Sequence, residues 1–264
     1  MTLTRFASTA APDLRALIAA GAVAVWPIGA TEQHGSHLVT GFDLASATAV
    51  SERAAEQAAG AAVVLPGLSV GASEHWLDLG ATLSLRPVTL LAVMADMIRS
   101  VERCGFGRLI VVNGHVGNIG PMTAAIGDAD SFGIAVEVVS YWQLVDSERL
   151  AAACRADQGG IGHAGEVETS IGLALDGLVV DARMPVPAGR PLGQGDPGGP
   201  PGGGTVRLPR PLRDAPDGVF GDPSRARREL GELVLTEASA ALAAVIDRRP
   251  GPTRPPRAGG GSTP

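Results

Sequence analysis

The chain predicts an α/β protein with a mostly parallel sheet covered by helices on both faces. Short apolar runs at Ala22–Ile28, Ala61–Leu65, Arg108–Val112 and Ile134–Val139 read as buried parallel strands, and they alternate with longer stretches of helical character. Such alternation implies right-handed βαβ crossovers, and 264 residues suffice for one sizeable core. Three of the runs lead into polar, glycine-bearing segments that carry histidine, which is where open α/β sheets place their ligands.

Taken in order, Pro12–Ala20 is expected as a helix with proline in its first turn, followed by the strand Ala22–Ile28. The segment Pro27–Asp43 then places Glu32, His34, His37 and Asp43 within twelve positions. Carboxylates and imidazoles at this density suit a divalent metal of the Zn, Mn or Fe type, and on these residues alone an N-capping loop with surface histidines suits them equally. Asp43 opens the helix Leu44–Ala59 as a cap, a ligand, or both. The strand Ala61–Leu65 leads into a loop, Pro66–Leu85, rich in Ser, Glu and His, and Pro87–Arg103 reads as an amphipathic helix.

Arg108–Val112 runs straight into Asn113-Gly114-His115, and a helix over Ile119–Asp130 follows. The fourth strand, Ile134–Val139, ends at Ser140-Tyr141-Trp142, and a helix near Asp146–Ala156 comes next. A glycine-rich approach reaches His163-Ala164-Gly165-Glu166-Val167-Glu168-Thr169, which opens the apolar helix Ile171–Leu175. Pro185–Pro216 is too dense in Pro and Gly for regular structure and is expected as a long surface loop. The last helix, Pro223–Arg248, should pack on the sheet or against a neighbouring subunit, closing one domain over 1–247. The stretch 248–264 has little to bury and is expected to be a disordered tail.

Composition narrows the function. A net charge of −6 argues against a nucleic-acid surface. All 21 basic residues are Arg, so a lysine Schiff base and a lysine-ended phosphate loop are excluded. Cys104 and Cys154 form no CxxC pair and are expected as small buried or part-buried thiols. With no apolar run of membrane-spanning length and no basic-then-apolar leader, the expectation is a soluble cytoplasmic protein without a membrane partner. The first strand is not followed by GxGxxG, and no GxSxG elbow is present, which removes dinucleotide and serine-hydrolase chemistry.

The five histidines decide between the open alternatives. His34, His37, His75, His115 and His163 all lie in polar, glycine-bearing segments next to a strand end or helix start, and none is on an apolar face. One shared metal centre explains that placement better than five separate structural roles.

These residues also carry a resemblance. Glu32-Gln33-His34-Gly35-Ser36-His37, Asp43, Ser73-Glu74-His75 with Thr82-Leu83-Ser84-Leu85, Asn113-Gly114-His115 and His163-Ala164-Gly165-Glu166-Val167-Glu168-Thr169 occur in the same order as in the creatininase family, over roughly Ala22–Asp181, with a weaker echo in Gly218–Ser224. The resemblance implies a three-layer α/β/α fold, often a homohexamer, with two divalent metal ions at the carboxyl edge of the sheet and hydrolysis of a C–N amide bond. By position, Glu32 and His115 resemble ligands of one metal and His34 of the other, with Asp43 bridging. His163 resembles the family's proton-transferring histidine; Ser73 and Trp142 lie in segments resembling its substrate contacts, and Trp142 suits a core or subunit-interface aromatic equally well. Creatinine-hydrolysing members carry an acidic residue where this chain has Gly117, so the fifth ligand is assigned to Glu168, with Glu166 as the alternative. The family's Phe-Pro-Gly-Thr is replaced by Asp78-Leu79-Gly80-Ala81-Thr82.

Amide hydrolysis needs a strong nucleophile at neutral pH, stabilisation of charge on the carbonyl oxygen, and a proton for the departing nitrogen. Two metals held about 3.5–4 Å apart by a carboxylate supply the first two, and a histidine that is not a ligand supplies the third. Candidate substrates are cyclic amides like creatinine, formamides, and the C-terminal part of a modified precursor peptide of the mycofactocin type. Gly117 counts against the first. The rival expectation is an inactive metal-holding structural or assembly protein on the same scaffold, supported by the altered 78–82 loop.

Overall fold

A computed structural model describes residues 2–127, 133–156, 160–180, 183, 189–190 and 211–248. Its sheet has five parallel strands, β1 (Thr4–Arg5), β2 (Val23–Ile28), β3 (Ala62–Val64), β4 (Arg108–Asn113) and β5 (Ala135–Ser140), in the order β1-β3-β2-β4-β5. Four of these match the apolar runs of the sequence. β1 has two residues, neither of them apolar, so it leaves no periodic signal. Because β3 lies on one side of β2 and β4 on the other, the chain reverses its direction of travel across the sheet between β2 and β4. Ligands of open α/β sheets collect in the crevice this reversal leaves at the carboxyl ends of the strands.

Strand alternation sorts the core into two layers. Val25, Ile110 and Val112 face α2 (Phe42–Gln57), α6 (Glu166–Ala174) and α8 (Arg228–Asp247), whereas Ala24, Trp26, Ile28, Leu109 and Val111 face α1 (Ala11–Ala19), α3 (Pro87–Arg103) and α4 (Ile119–Gly127). The result is the three-layer α/β/α arrangement that the resemblance implies. In α3, Leu90, Met94, Ile98 and Val101 recur at helical spacing and are buried, each apolar side chain contributing roughly 1.5–3 kcal/mol. Pro87 starts that helix, and Gly105, at φ 99, follows its end.

Several boundaries differ from expectation. Asp146 does not join the helix near it but caps it, its side chain accepting from the Arg149 N–H at 2.8 Å, so α5 is only Ser147–Ala153. The expected final helix is two pieces: a 3₁₀ turn at Pro223–Arg225 capped by Asp222, then α8. α8 packs against α2 and α6 of its own chain. Residues 128–130 of the helix expected after β4 lie outside the described residues, as do 249–264 of the expected tail. So does most of the expected 185–216 loop. Its described part includes a helical turn, α7 (Pro211–Asp214). Among the described residues, no helix is long and apolar enough to cross a membrane.

Arg108, at the start of β4, fastens α8 to the edge of the sheet opposite the strands' carboxyl ends. Its guanidinium donates to the carbonyls of Val245, Ile246 and Arg248 at 2.7–2.9 Å and to the Glu137 carboxylate. Arg108→Ala leaves those helix-end carbonyls without their donor and should cost about 2–4 kcal/mol in urea denaturation. Arg53→Ala, which loses only a half-exposed pair with Glu232, should cost no more than about 1 kcal/mol. Equal losses in the two variants would refute the assignment.

Candidate metal centre

Two glycines set the geometry. A β-carbon at Gly29, just past β2, would sit 2.2 Å from the Leu44 amide nitrogen, and one at Gly114, just past β4, would sit 2.2 Å from the Asp43 carbonyl oxygen. Only glycine lets the first turn of α2 rest directly on the ends of the two central strands. Asp43 is the second residue of that helix, 1% exposed, and its side chain makes no capping bond. Its carboxylate turns instead into the crevice at the strand reversal. The sequence left cap and ligand open; the cap is not formed.

Asp43 presents one oxygen to each of two histidines. Its Oδ1 lies 3.1 Å from His34 Nε2, and its Oδ2 lies 3.1 Å from His115 Nδ1. Glu32 Oε1 is 3.2 Å from the same His115 nitrogen, and Glu168 Oε2 is 3.6 Å from His34 Nε2. The far nitrogen of each ring is held by backbone: His34 Nδ1 is 3.1 Å from the Glu32 carbonyl, and His115 Nε2 is 3.2 Å from the Ala72 carbonyl. With those N–H groups donating to carbonyls, His34 Nε2 and His115 Nδ1 face the carboxylates, where each would offer a lone pair to a cation that displaces its proton. Metal-binding histidines are oriented in this way.

Glu32 Oε2, His34 Nε2 and Asp43 Oδ2 are buried and make no hydrogen bond among the described residues. Buried polar atoms are ordinarily paired, and a cation between these donors would satisfy all three. Sets of donor atoms within 4.8 Å of one another comprise Glu32, His34 and His163; Glu32, His75 and His115; and His34, Asp43 and Glu168. The donor set fits one or more divalent ions.

Burial penalises every charge in the cluster, and the neighbours decide each outcome. For His34, burial is outweighed by Asp43, Glu168 and Glu32, which hold it up at about 10, and His115 is raised in the same way by Glu32 and Asp43. The histidines in turn hold Glu32 and Asp43 below the ordinary carboxylate range against burial. Glu168 goes the other way: burial, joined by the like charges of Asp43 and Glu32, overcomes His34 and lifts it to about 8. Burial and the neighbouring His34 push His163 down to about 3.

His163 stands beside the cluster, its Nδ1 3.5 Å from Glu32 Oε1. Its ring is stacked on Trp76 at 4.2 Å on one side and lies 4.4 Å from the His34 ring. Its backbone is tied to a separate segment by paired bonds with Phe220, His163 N to Phe220 O at 2.9 Å and Phe220 N to His163 O at 2.8 Å. Ala164, next in the chain, is buried in the left-handed region at φ 50, a conformation that disfavours a β-carbon by about 1–3 kcal/mol. Its N–H donates to Glu168 Oε2 at 2.6 Å, which aims that carboxylate back toward His34.

The other expected residues fall out as follows. Glu166 is fully buried away from the cluster, its carboxylate accepting from the Arg155 and Ala156 amides and pairing with Arg227, so it serves the fold. His37 is engaged with the Thr169 hydroxyl at 2.8 Å and belongs to none of the donor sets. Ser73 is fully buried with its hydroxyl 3.2 Å from His115 Nε2. Trp142 is half-buried against the α2–α6–α8 layer and edge-on to Tyr141. The indole on the cluster is Trp76, backed by Phe220 at 5.8 Å, and no periodic pattern in its loop marks it. The altered 78–82 loop still serves the site through Thr82, whose hydroxyl accepts from the Gln33 N–H at 3.1 Å.

Fold and cluster together define a class: α/β proteins with a potential divalent-metal centre at the carboxyl edge of a parallel sheet. A family model described as Creatininase, creatinine amidohydrolase, matches residues 7–246, and the chain belongs to the creatininase family. It is 33% identical over 243 residues to a creatinine amidohydrolase of Pseudomonas putida, covering 84% of this chain and 88% of that protein. It is 29% identical over 219 residues to a mycofactocin precursor peptide peptidase of Mycobacterium ulcerans (strain Agy99), covering 80% and 79%. A crystal structure of creatinine amidohydrolase superposes with a TM-score of 0.77 at 30% identity, covering 93% of this chain and 97% of that one. Similar solved creatininases include a mutant of Zn-Zn type and a Mn form, both 29% identical with TM-scores of 0.77 and 0.75, each covering 93% of this chain and 98% of that one.

Proposed function

We propose that the chain is a binuclear-metal amidohydrolase that cleaves a C–N amide bond of a small molecule or a modified peptide. The observation that carries this reading is the shared carboxylate of Asp43, which offers one oxygen to each of two histidines whose other ring nitrogens are fixed on backbone carbonyls. Glu32, Asp43 and His115 would hold one ion, and His34, Asp43 and Glu168 the other. When bound, the ions supply an activated water and polarise the amide carbonyl. The relatives named as acting on creatinine and on a peptide precursor both lie within reach of this chemistry.

The rest of the chemistry belongs to side chains. His163 Nε2 lies 2.9 Å from the Gln33 carbonyl oxygen and 3.0 Å from the Gln33 side-chain nitrogen. The Gln33 amide is oriented by the Gly35 N–H, which donates to its Oε1 at 3.0 Å. That edge of the ring is therefore served whether Nε2 donates to the carbonyl or accepts from the amide. Nδ1 faces Glu32 at 3.5 Å and is kept unprotonated by burial and by His34, so it is placed to accept a proton at the cluster and pass it to a leaving nitrogen. Trp76 covers one face of the ring and restricts water there, while Ser73 supports His115.

Metal content and turnover measured on one preparation test the proposal, with a cyclic amide, a formamide and a C-terminally extended peptide as substrates. Two bound equivalents with hydrolysis of at least one substrate are expected. Two equivalents with no hydrolysis of any amide would favour the inactive scaffold. Proton release gives an independent check. In the metal-free protein His34, His115 and Glu168 carry protons near neutrality because their pKa values are raised, so an ion must displace them. Apparent affinity should climb with pH through about 8, where Glu168 loses its proton, and on toward about 10, where His34 loses its own, and fall steadily as the pH is lowered. Calorimetry in two buffers of different ionisation enthalpy should give different heats, and equal heats would exclude proton displacement.

A further inference from the structure

Of the three histidines outside the five-ligand assignment, His163 has the proton-transfer role and His37 is bonded to Thr169, which leaves His75. It sits in the 3₁₀ turn Glu74–Leu79, which is fixed by a bond from the Trp76 N–H to the Ser73 carbonyl at 3.0 Å and by burial of Trp76. Its ring is parallel to that of His115, centroids 5.7 Å apart and planes 5° from coincidence. Among the described residues neither of its ring nitrogens makes a hydrogen bond, in contrast to the carbonyl-anchored His34 and His115. One of its nitrogens belongs with Glu32 and His115 to a set of donor atoms all within 4.8 Å of one another.

Gly117 explains how the ring reaches that place. A β-carbon there would sit 2.2 Å from the Ala72 carbonyl, 2.5 Å from His115 Nε2 and 3.1 Å from His75 Cε1. Any side chain at 117 would have to displace the imidazole pair. From the Glu32–His75–His115 spacing, a small side-chain rotation brings all three donors onto one ion with bonds of about 2.0–2.2 Å.

We propose that His75 is a fourth protein ligand of the ion held by Glu32, Asp43 and His115. This rests on the binuclear reading above. It makes the two ions unequal: one has two imidazoles and two carboxylates, and the other has one imidazole and two carboxylates with more room for water and substrate. Imidazole-rich surroundings favour Zn-like ions, so the first site should be the tighter.

Full-length protein loaded with Co(II) tests this by visible absorption and by bound metal after stepwise competition with a chelator. Wild type should release its two equivalents in two stages. His75→Ala should weaken the tighter equivalent by at least 10-fold and change the absorption of that ion, leaving the other stage in place. His75→Asp, which keeps a donor atom, should recover much of the lost affinity, and circular dichroism shows whether each variant is folded. If His75→Ala and His75→Asp both keep wild-type release and spectrum, His75 is not a ligand, even where KM for substrate rises. If wild type itself takes up no Co(II), the binuclear reading fails along with this one.

Discussion

Asp43→Ala is expected to release both metal ions and abolish hydrolysis while the chain stays folded. The prediction rests on one carboxylate serving two nitrogens, with Oδ1 3.1 Å from His34 Nε2 and Oδ2 3.1 Å from His115 Nδ1. Removing a group that merely orients a metal ligand typically costs 10–100-fold in affinity, so losing a carboxylate common to both ions should cost each at least about 10²-fold. Folding should survive because the first turn of α2 is held by backbone packing on Gly29 and Gly114, which the substitution leaves intact. Metal analysis after gel filtration, with circular dichroism on the same sample, decides it. Retention of two equivalents by Asp43→Ala would remove Asp43 from the bridge, and loss of one would make it a ligand of a single ion.

His163→Ala should keep both ions and lose roughly 10²–10⁴-fold in turnover, the usual size of a general acid–base contribution. The geometry makes the experiment decisive, because His163 also belongs to a donor set with Glu32 and His34 and so is placed where it could ligate. Single-turnover rate and metal content on the same preparation separate the two roles. Loss of a metal equivalent would make it a ligand. Unchanged turnover would leave it with no part in the reaction.

Much of this was readable in the sequence because the fold writes its site at strand ends. Buried parallel strands are short apolar runs, and the first polar residues after β2 and β4 had to enter the crevice, so Glu32, His34 and His115 were legible from pattern. The choice between Glu168 and Glu166 was half legible. Residues two apart on a helix point about 200° away from each other, so only one could face the cluster, but the partners that fix which one, Arg227 and the amides of Arg155 and Ala156, come from other elements. Trp76 was invisible for a similar reason. It lies in an irregular loop and its place is set by His163 and Phe220, about 90 and 140 residues further along the chain, whereas Trp142, next to a recognisable strand end, turned toward the core layer. β1 and the left-handed Ala164 have no sequence signal, since both are imposed by neighbours and not by local preference.

The close seating of α2 on Gly29 and Gly114 also bears on how far this protein can be evolved in the laboratory. Both backbones approach to distances that even alanine cannot occupy, so mutational libraries gain nothing at 29 or 114 and displace the Asp43 carboxylate with the helix that carries it. Variation of substrate preference is better sought where side chains meet side chains, at Trp76, Leu79 and Phe220, which form a small apolar cluster of their own. That cluster can be reshaped without moving a strand, best at Leu79, because Trp76 fixes the turn that carries His75 and stacks on His163.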